Sequence, residues 1–537
     1  MSLALRQASI LIIDDFQGMR TMLRDFLSSM GVATIDTASN GRDALQLLGV
    51  NKYDIVICDY NLGEGANGQQ ILEEAKRKNH VGVSTVWVMV TAEKTAEMVM
   101  GAAEIRPDDY LLKPISQALL ESRLEKLLTR KQSLAPIEAS VRALNYPEAL
   151  AQCDQQLKAN IINPHEVLRI KSELLLAMGD YEAAKALFES VLVSRDVAWA
   201  QTGLGKVLFL TRKYAQARDM FQSVLQQNEV FMEASDWLAK TCIVLGDHQT
   251  AQKVLQEAAR LSPNSPTRQK LLGEAALKNG ALDVARGAFE KTIRISEFSP
   301  NKSASAYTRL AKVLSEQGAP LDALKTLALC KKEFRYNTEA SLQTAAAESV
   351  IYQDMGQTDR AQAAMQEAER LIDKSGGKVG VEVALEVADS LFKLGNNEKA
   401  SSLLKEVVRN NHENMEISNS IAAIFEEHGL VAKGQALIAE SRGEVVGINN
   451  EGVTLAKQGN LLAGANLLRT AAEKLPNNEV ILINLCGLLI ALLSKEGRNH
   501  QIAGEARELL DRVRQLNPSN RNYHVYTAAL NRVMGTS

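Results

Sequence analysis

"ILIIDDFQGMR", residues 10 to 20, decides how the front of the chain folds. Four apolar β-formers run straight into two adjacent carboxylates, Asp14 and Asp15, and a helical pattern then begins. Like charges this close repel and raise each other's pKa unless something cationic sits between them. A strand that ends this way therefore points to a site that holds positive charge.

The surrounding sequence supplies the rest of that site. Strand-like runs fall at 9–14, 33–38, 53–59, 85–91 and 109–113, separated by helical patterns such as "MRTMLRDFLSSMG" and "GQQILEEAKRKN". Near-continuous apolar strands alternating with helices indicate a parallel sheet covered on both faces. Five βα units in a short stretch predict a small doubly wound α/β fold. In such a fold ligands meet the carboxyl ends of the strands. The third strand ends in Asp59, the fourth in Thr91 and the fifth in Lys113, followed by Pro114. If strands one and three are neighbours, three acids, a hydroxyl and an ammonium share one sheet edge. A hard divalent cation with oxygen ligands suits the acids, and Mg²⁺ suits one or two direct carboxylates. That set is chemically complete for moving a phosphoryl group onto a carboxylate.

This constellation closely resembles the receiver domain of bacterial two-component response regulators over residues 1 to about 128. The stretches "DDFQGMR", "DYN", "VTAE" and "YLLKP" look especially like the chemotaxis-type receivers. The resemblance implies that Asp59 is the phosphoacceptor and that Asp14, Asp15, Asp59 and the backbone carbonyl of Asn61 bind Mg²⁺. It implies that Thr91 and Lys113 contact the phosphoryl group and that Tyr110 swings inward with Thr91. By the same resemblance, Asn61 and Glu93 take the two positions that in this family tune the lifetime of the phosphorylated state. One departure is the loop "YNLGEGANGQQ", a residue longer than usual, with Gly63 where proline is common. That puts the loop's stiffness, and which kinase docks there, in question.

After Arg130 the strand signal stops and a repeat begins. Turn glycines recur at 179, 246, 280, 318, 356, 395, 429 and 459, with Arg212 in the place between the first two. Successive spacings are 33, 34, 34, 38, 38, 39, 34 and 30. Paired helices with a period near 34 are the tetratricopeptide (TPR) signature. Five residues after the turn sits a small residue (Ala184, Ala251, Ala285, Ala323, Ala361, Ala400), and four later a large apolar one (Phe188, Leu255, Phe289, Leu327, Met365, Leu404). The expected organisation is a receiver over 1–130, an α-helical superhelix of about eleven units over 131–519, some degenerate, and a capping helix and tail over 520–537. No Gly/Ser- or Pro-rich linker separates the halves; the last receiver helix, "QALLESRLEKLLTRKQ", runs into the first repeat. The whole chain resembles bacterial response regulators that join a receiver to TPR repeats.

Composition narrows the function. The first 130 residues carry 14 basic and 17 acidic side chains, and the rest carry 47 of each, which argues against a nucleic-acid binder built on a broad basic surface. Five scattered cysteines without a CxxC spacing read as reduced thiols in a cytoplasmic protein. Cys58, beside the phosphoacceptor, reads as a small buried strand residue. The most apolar run, "VILINLCGLLIALL", is too short to span a bilayer, so no membrane insertion is expected. The concave faces of the first helices are the expected surface for a protein or peptide partner. Lys240, Lys270, Arg309 and Lys312 are candidates for a basic strip, and Asn450 and Asn484, 34 apart, for a grip on a peptide backbone. Trp199 and Trp237 read as packing between repeats more than as groove anchors.

The expected function is a response regulator phosphorylated by a sensor histidine kinase, with Mg²⁺ as cofactor and a TPR protein-interaction output. No catalytic output is expected beyond the receiver's own phosphorylation and dephosphorylation. A phosphate sink or kinase modulator, and a constitutive scaffold with a silent receiver, are the alternatives. Homodimerisation is open.

Overall fold

The computed structural model describes residues 3–63, 65–92, 106–143, 145–159, 164–194, 197–297, 302–375, 379–517 and 520–535. Its contacts divide the chain into two compact units: Met1–Leu175 with Tyr181–Ser303, and Ala304–Ser537 with Leu176–Asp180.

The first unit opens with α1 (Leu3–Gln7), β1 (Ser9–Ile13), α2 (Gln17–Ser29), β2 (Thr34–Ala38), α3 (Gly41–Val50), β3 (Ile55–Asp59) and α4 (Gly68–Arg77). Strands β4 (Val86–Thr91) and β5 (Asp109–Leu112) follow, then α5 (Gln117–Gln132). The sheet is parallel with order β2-β1-β3-β4-β5, the doubly wound arrangement that reverses between β1 and β3. Strands β3 and β4 are buried at every residue and β2 is partly exposed, as a central and an edge position require. Asn40 caps α3, and Asn67 with Gln70 forms a capping box on α4, so both helices start where unpaired backbone N–H groups need acceptors.

The expected boundary at 130 falls inside α5. A two-residue turn, Ser133–Leu134, leads into α6 (Ala135–Arg142), the first repeat helix. Val83 of the receiver packs against Leu134 and Ile137, so this joint has a core of its own.

Behind it, paired helices of mostly 13 or 14 residues continue to Met534. All eight turn glycines found by spacing have φ between +66° and +91°, and Arg212 has φ +63° in the same place. The Arg212 N–H bonds to Phe209 O at 2.9 Å and the Lys213 N–H to Leu208 O at 2.8 Å, a Schellman end to its helix. The backbone therefore imposes the left-handed turn even where the side chain resists it. The small residues after the turns are buried, as are Phe188, Leu255, Phe289, Leu327 and Leu404; Met365 is partly buried.

The repeat loses an inter-unit turn within the second compact unit. Where the spacing shrinks to 30, no turn forms, and a single helix of 27 residues, Val431–Lys457, joins two units. Among the described residues no helix is long and apolar enough to cross a membrane. The apolar run at 480–493 lies in helix Glu479–Glu496 and is core.

Candidate functional site

Sheet register brings the acids together. Ile13 pairs with Cys58, so the next residues, Asp14 and Asp59, end neighbouring strands. Asp59 pairs with Val90 and Thr91 with Leu112, which puts Thr91 and Lys113 beside them. Carboxylate oxygens of Asp14, Asp15 and Asp59 all lie within 4.8 Å of one another. Asp14 and Asp59 are buried, whereas Asp15 faces out. The Lys113 ammonium donates to Asp59 Oδ2 at 2.6 Å and to Asp14 Oδ2 at 2.9 Å. An open cleft of about 280 Å³ lies over the group, lined by Asp15, Asp59, Asn61, Gly63, Thr91, Ala92 and Lys113.

Electrostatics explain why the site needs more positive charge. Burial raises the Asp59 carboxyl's pKa; Lys113 pulls it down and the Asp14 charge pushes it up again, with a net rise. Burial works to lower the Lys113 pKa, but its bonds to Asp59 and Asp14 outweigh that and hold the ammonium protonated. Burial and the Asp14 charge thus outweigh Lys113 at Asp59, while the two carboxylates outweigh burial at Lys113. The donor set is hard oxygen throughout, with one exposed acid, and fits a small divalent cation such as Mg²⁺.

The neighbouring residues fix this geometry. Asn61 N–H donates to Asp59 Oδ1 at 3.3 Å, and its own side-chain oxygen accepts from Gly63 N–H at 3.3 Å. The departure noted in this loop thus leaves the acids assembled. Tyr110 is half-buried on the core beside β4, with a hydroxyl pKa pushed up by burial. Glu93 lies outside the described residues. Cys58 is fully buried, and burial followed by the Asp59 and Asp14 charges drives its thiol pKa well up, which leaves it unreactive.

Two site residues escape sequence reasoning. Arg20 donates from Nη1 to the carbonyl oxygens of Asp14 at 2.6 Å and Asp15 at 2.9 Å, pinning the acidic loop from the first turns of α2. Gly68 starts α4 so close to β3 that a Cβ there would lie 2.3 Å from Asp59 O. The "NGQQ" capping pattern was the available signal for the second; nothing in the sequence alone marks the first.

The candidate groove residues fare differently. Arg309 and Lys312 are paired with Glu386 at 3.2 Å and Asp389 at 3.3 Å within the second unit, so neither offers an unneutralised positive face. Lys240 sits over the Trp237 ring at 4.8 Å, and Lys270 is half-buried on helix Pro266–Lys278; both belong to the first unit. Asn484 donates to Asn449 at 2.8 Å, while Asn450 is exposed. Asn449 and Asn450 both lie in the continuous helix Val431–Lys457, and it is Asn449 that meets Asn484. Trp237 stacks on Phe221 at 6.3 Å and Trp199 meets Phe188 edge-on at 6.0 Å, which makes both packing residues.

Comparison with known proteins agrees with this layout. The family model described as "Response regulator receiver domain" matches residues 10–125, and "Tetratricopeptide repeat" matches 171–230 and 238–300. The front of the chain is 30% identical over 125 residues to chemotaxis protein CheY-3 of Vibrio cholerae serotype O1, covering 23% of this chain and 95% of that protein. It is 31% identical over 124 residues to chemotaxis protein CheY of Pseudomonas aeruginosa, covering 22% and 96%. A crystal structure of MamA aligns over 32% of this chain and 96% of its own, at 19% identity and a TM-score of 0.29. The chain belongs to the response regulators, with a CheY-like receiver domain followed by tetratricopeptide repeats.

Proposed function

We propose that this protein receives a phosphoryl group on Asp59 from a sensor histidine kinase and that the receiver's state controls what the TPR stack binds. The observation that carries this reading is the Lys113 bridge between Asp14 and Asp59 beneath an open cleft edged by Thr91. An Asp59 carboxylate oxygen forms the bond to phosphorus as the phosphorus–nitrogen bond to the donor histidine breaks, and the imidazole leaves with its electron pair and takes up a proton. Asp14, Asp15, Asp59 and the Asn61 carbonyl would hold Mg²⁺, which would supply charge to neutralise phosphoryl oxygens. Lys113 offers an ammonium to the same oxygens and the Thr91 hydroxyl donates a hydrogen bond, while Tyr110 follows Thr91 inward. Asn61 and Glu93 tune how long the acyl phosphate survives.

The output is protein binding by the repeats, with no separate catalytic step. Five free, buried cysteines suit a reducing cytoplasm. Loading Asp59 is expected to change partner affinity by a coupling of ~1–3 kcal/mol. The test compares partner capture by the full chain with Mg²⁺, with and without beryllofluoride, using Asp59→Asn as control. Equal affinity in all states sinks the coupling, and robust phosphorylation without a TPR response turns the reading towards a phosphate sink.

A further inference from the structure

The first helices of repeats two to four carry a charged face on Arg169, Glu173, Lys206 and Glu233, and the receiver reaches it. The Arg106 guanidinium, four residues before Tyr110, donates to Glu233 at 2.9 Å, and Lys206 bonds the same carboxylate. Arg106 holds φ at +54°, a left-handed conformation that a bulky side chain adopts only under constraint. Its carbonyl accepts from Lys76 of α4 at 3.4 Å. Burial raises the Glu233 pKa, but Lys206, Arg106 and Arg169 more than offset it, so the carboxylate stays charged.

A second contact comes from the start of α4. Gln70 donates to the Ile295 carbonyl, 225 residues away, at 2.8 Å. Asn67, Gln69, Gln70 and Glu73 wall a cavity of about 160 Å³ with Asn264, Pro266 and Ile295. The Asn67 cap and Gln70 and Glu73 in the first turns of α4 thus face the repeats. The Arg106 and Glu233 side chains are 41% and 32% exposed, so their pair is screened and weak enough to part.

We propose that the receiver is the internal occupant of the first-helix face of repeats two to four, pinned there by Arg106 on Glu233, and that loading Asp59 releases it. The release rests on the function proposed above; the occupancy does not. Arg106 stands at the entry to β5, the strand that carries Tyr110 and leads to Lys113, so movement at the site pulls on it directly. A partner reaches Glu233 only after Arg106 has left.

Hydrogen exchange on the full chain with Mg²⁺ decides both parts. Arg106→Glu and Glu233→Gln are expected to speed exchange in 198–210 and 232–244 about two- to fivefold, while Arg106→Lys, which keeps the charge, does not. Unchanged exchange in both variants overturns the occupancy. Beryllofluoride is then added to the wild type, and its binding is read separately by fluorine NMR. Bound fluoride with faster exchange in the same helices supports release; bound fluoride with no change overturns release. No bound fluoride defeats the proposed phosphorylation itself and with it the release, and the charge variants still decide the occupancy.

Discussion

Replacing Glu138 is expected to loosen the joint between receiver and repeats while leaving the Asp59 site intact. Glu138 projects from α6 and accepts from Ser84 N–H at 2.6 Å and Ser84 Oγ at 2.5 Å, ahead of β4. It also accepts from Arg142 Nε at 2.8 Å, and its side chain is only 12% exposed. Gly82 makes room for it; a Cβ there would lie 2.1 Å from Glu138 Oε1. A hydrogen bond to a charged group contributes ~1.5–3 kcal/mol, and truncation leaves the Ser84 N–H unpaired. The exposed Arg142 pair adds only ~0.3–0.5 kcal/mol. Because both strong bonds come from one residue, Glu138→Ala should cost about 3 kcal/mol and Glu138→Gln about half that. Local opening of 79–85 and 135–142, read by hydrogen exchange, should then rise about 100-fold in the alanine variant. The carboxylate also gives a pH signature. Burial raises its pKa, but Ser84 and Arg142 more than compensate, leaving it below the ordinary glutamate value. A folded-state pKa below the unfolded one means that its stabilisation is complete above about pH 4.5 and is lost as pH falls through the folded value. An alanine variant within ~0.5 kcal/mol of wild type, with unchanged local exchange, would refute the clamp.

Arg212→Gly should raise the urea midpoint of the chain, because a left-handed Arg costs ~1–2 kcal/mol and glycine's extra unfolded freedom returns part of it, leaving ~0.5–1 kcal/mol. A lower midpoint would mean that the Arg212 side chain matters more than its backbone. Gly68→Ala should weaken Mg²⁺ binding in a titration tenfold or more with circular dichroism unchanged, since the methyl forces α4 away from Asp59 O, 2.3 Å off; overpacking of this kind costs ~1–3 kcal/mol. Wild-type Mg²⁺ affinity would show that the helix yields freely. His412 is buried, and its Nδ1 accepts from Asn478 at 3.0 Å, so the ring is neutral and burial, ahead of Arg442, lowers its pKa. Its folded pKa lies below the unfolded ~6.5, so this contribution is full above that pH and is lost as pH falls through the folded value. Urea midpoints taken between pH 7.5 and 5 should fall less in His412→Leu than in wild type; parallel curves would rule the histidine out.

The legible parts of this chain were those where one backbone rule fixes one position. Strand ends had to bring Asp14, Asp59, Thr91 and Lys113 to one edge once the parallel order was granted, and the register does so. Turn spacing identified Arg212 as standing where the chain needs φ above zero, because helix ends demand it whatever the side chain. Charge pairing obeys no such local rule. Arg309 and Glu386 are 77 residues apart, and only the stacking of successive first helices tells which carboxylate meets which cation. Of the basic-strip candidates Lys240, Lys270, Arg309 and Lys312, Arg309 and Lys312 meet carboxylates that no local spacing marks. The same blindness hid Arg20, whose acceptors are main-chain carbonyls that any sequence possesses.

That distinction bears on how such a chain signals. The Asp59 site is built from strand ends whose register the sheet fixes, so which groups meet there is closely specified. Its reach into the repeats runs instead through half-exposed side-chain contacts, Arg106 on Glu233 and Gln70 on Ile295. Contacts of that strength are individually marginal, which is what a switch requires: a ligand shifts an equilibrium only by its differential affinity for the two states. The Glu138 clamp is stronger and more buried, and on the function proposed above it should hold in both states. Weakening the Arg106 contact should therefore change the position of the switch, and weakening Glu138 should change whether it is transmitted at all.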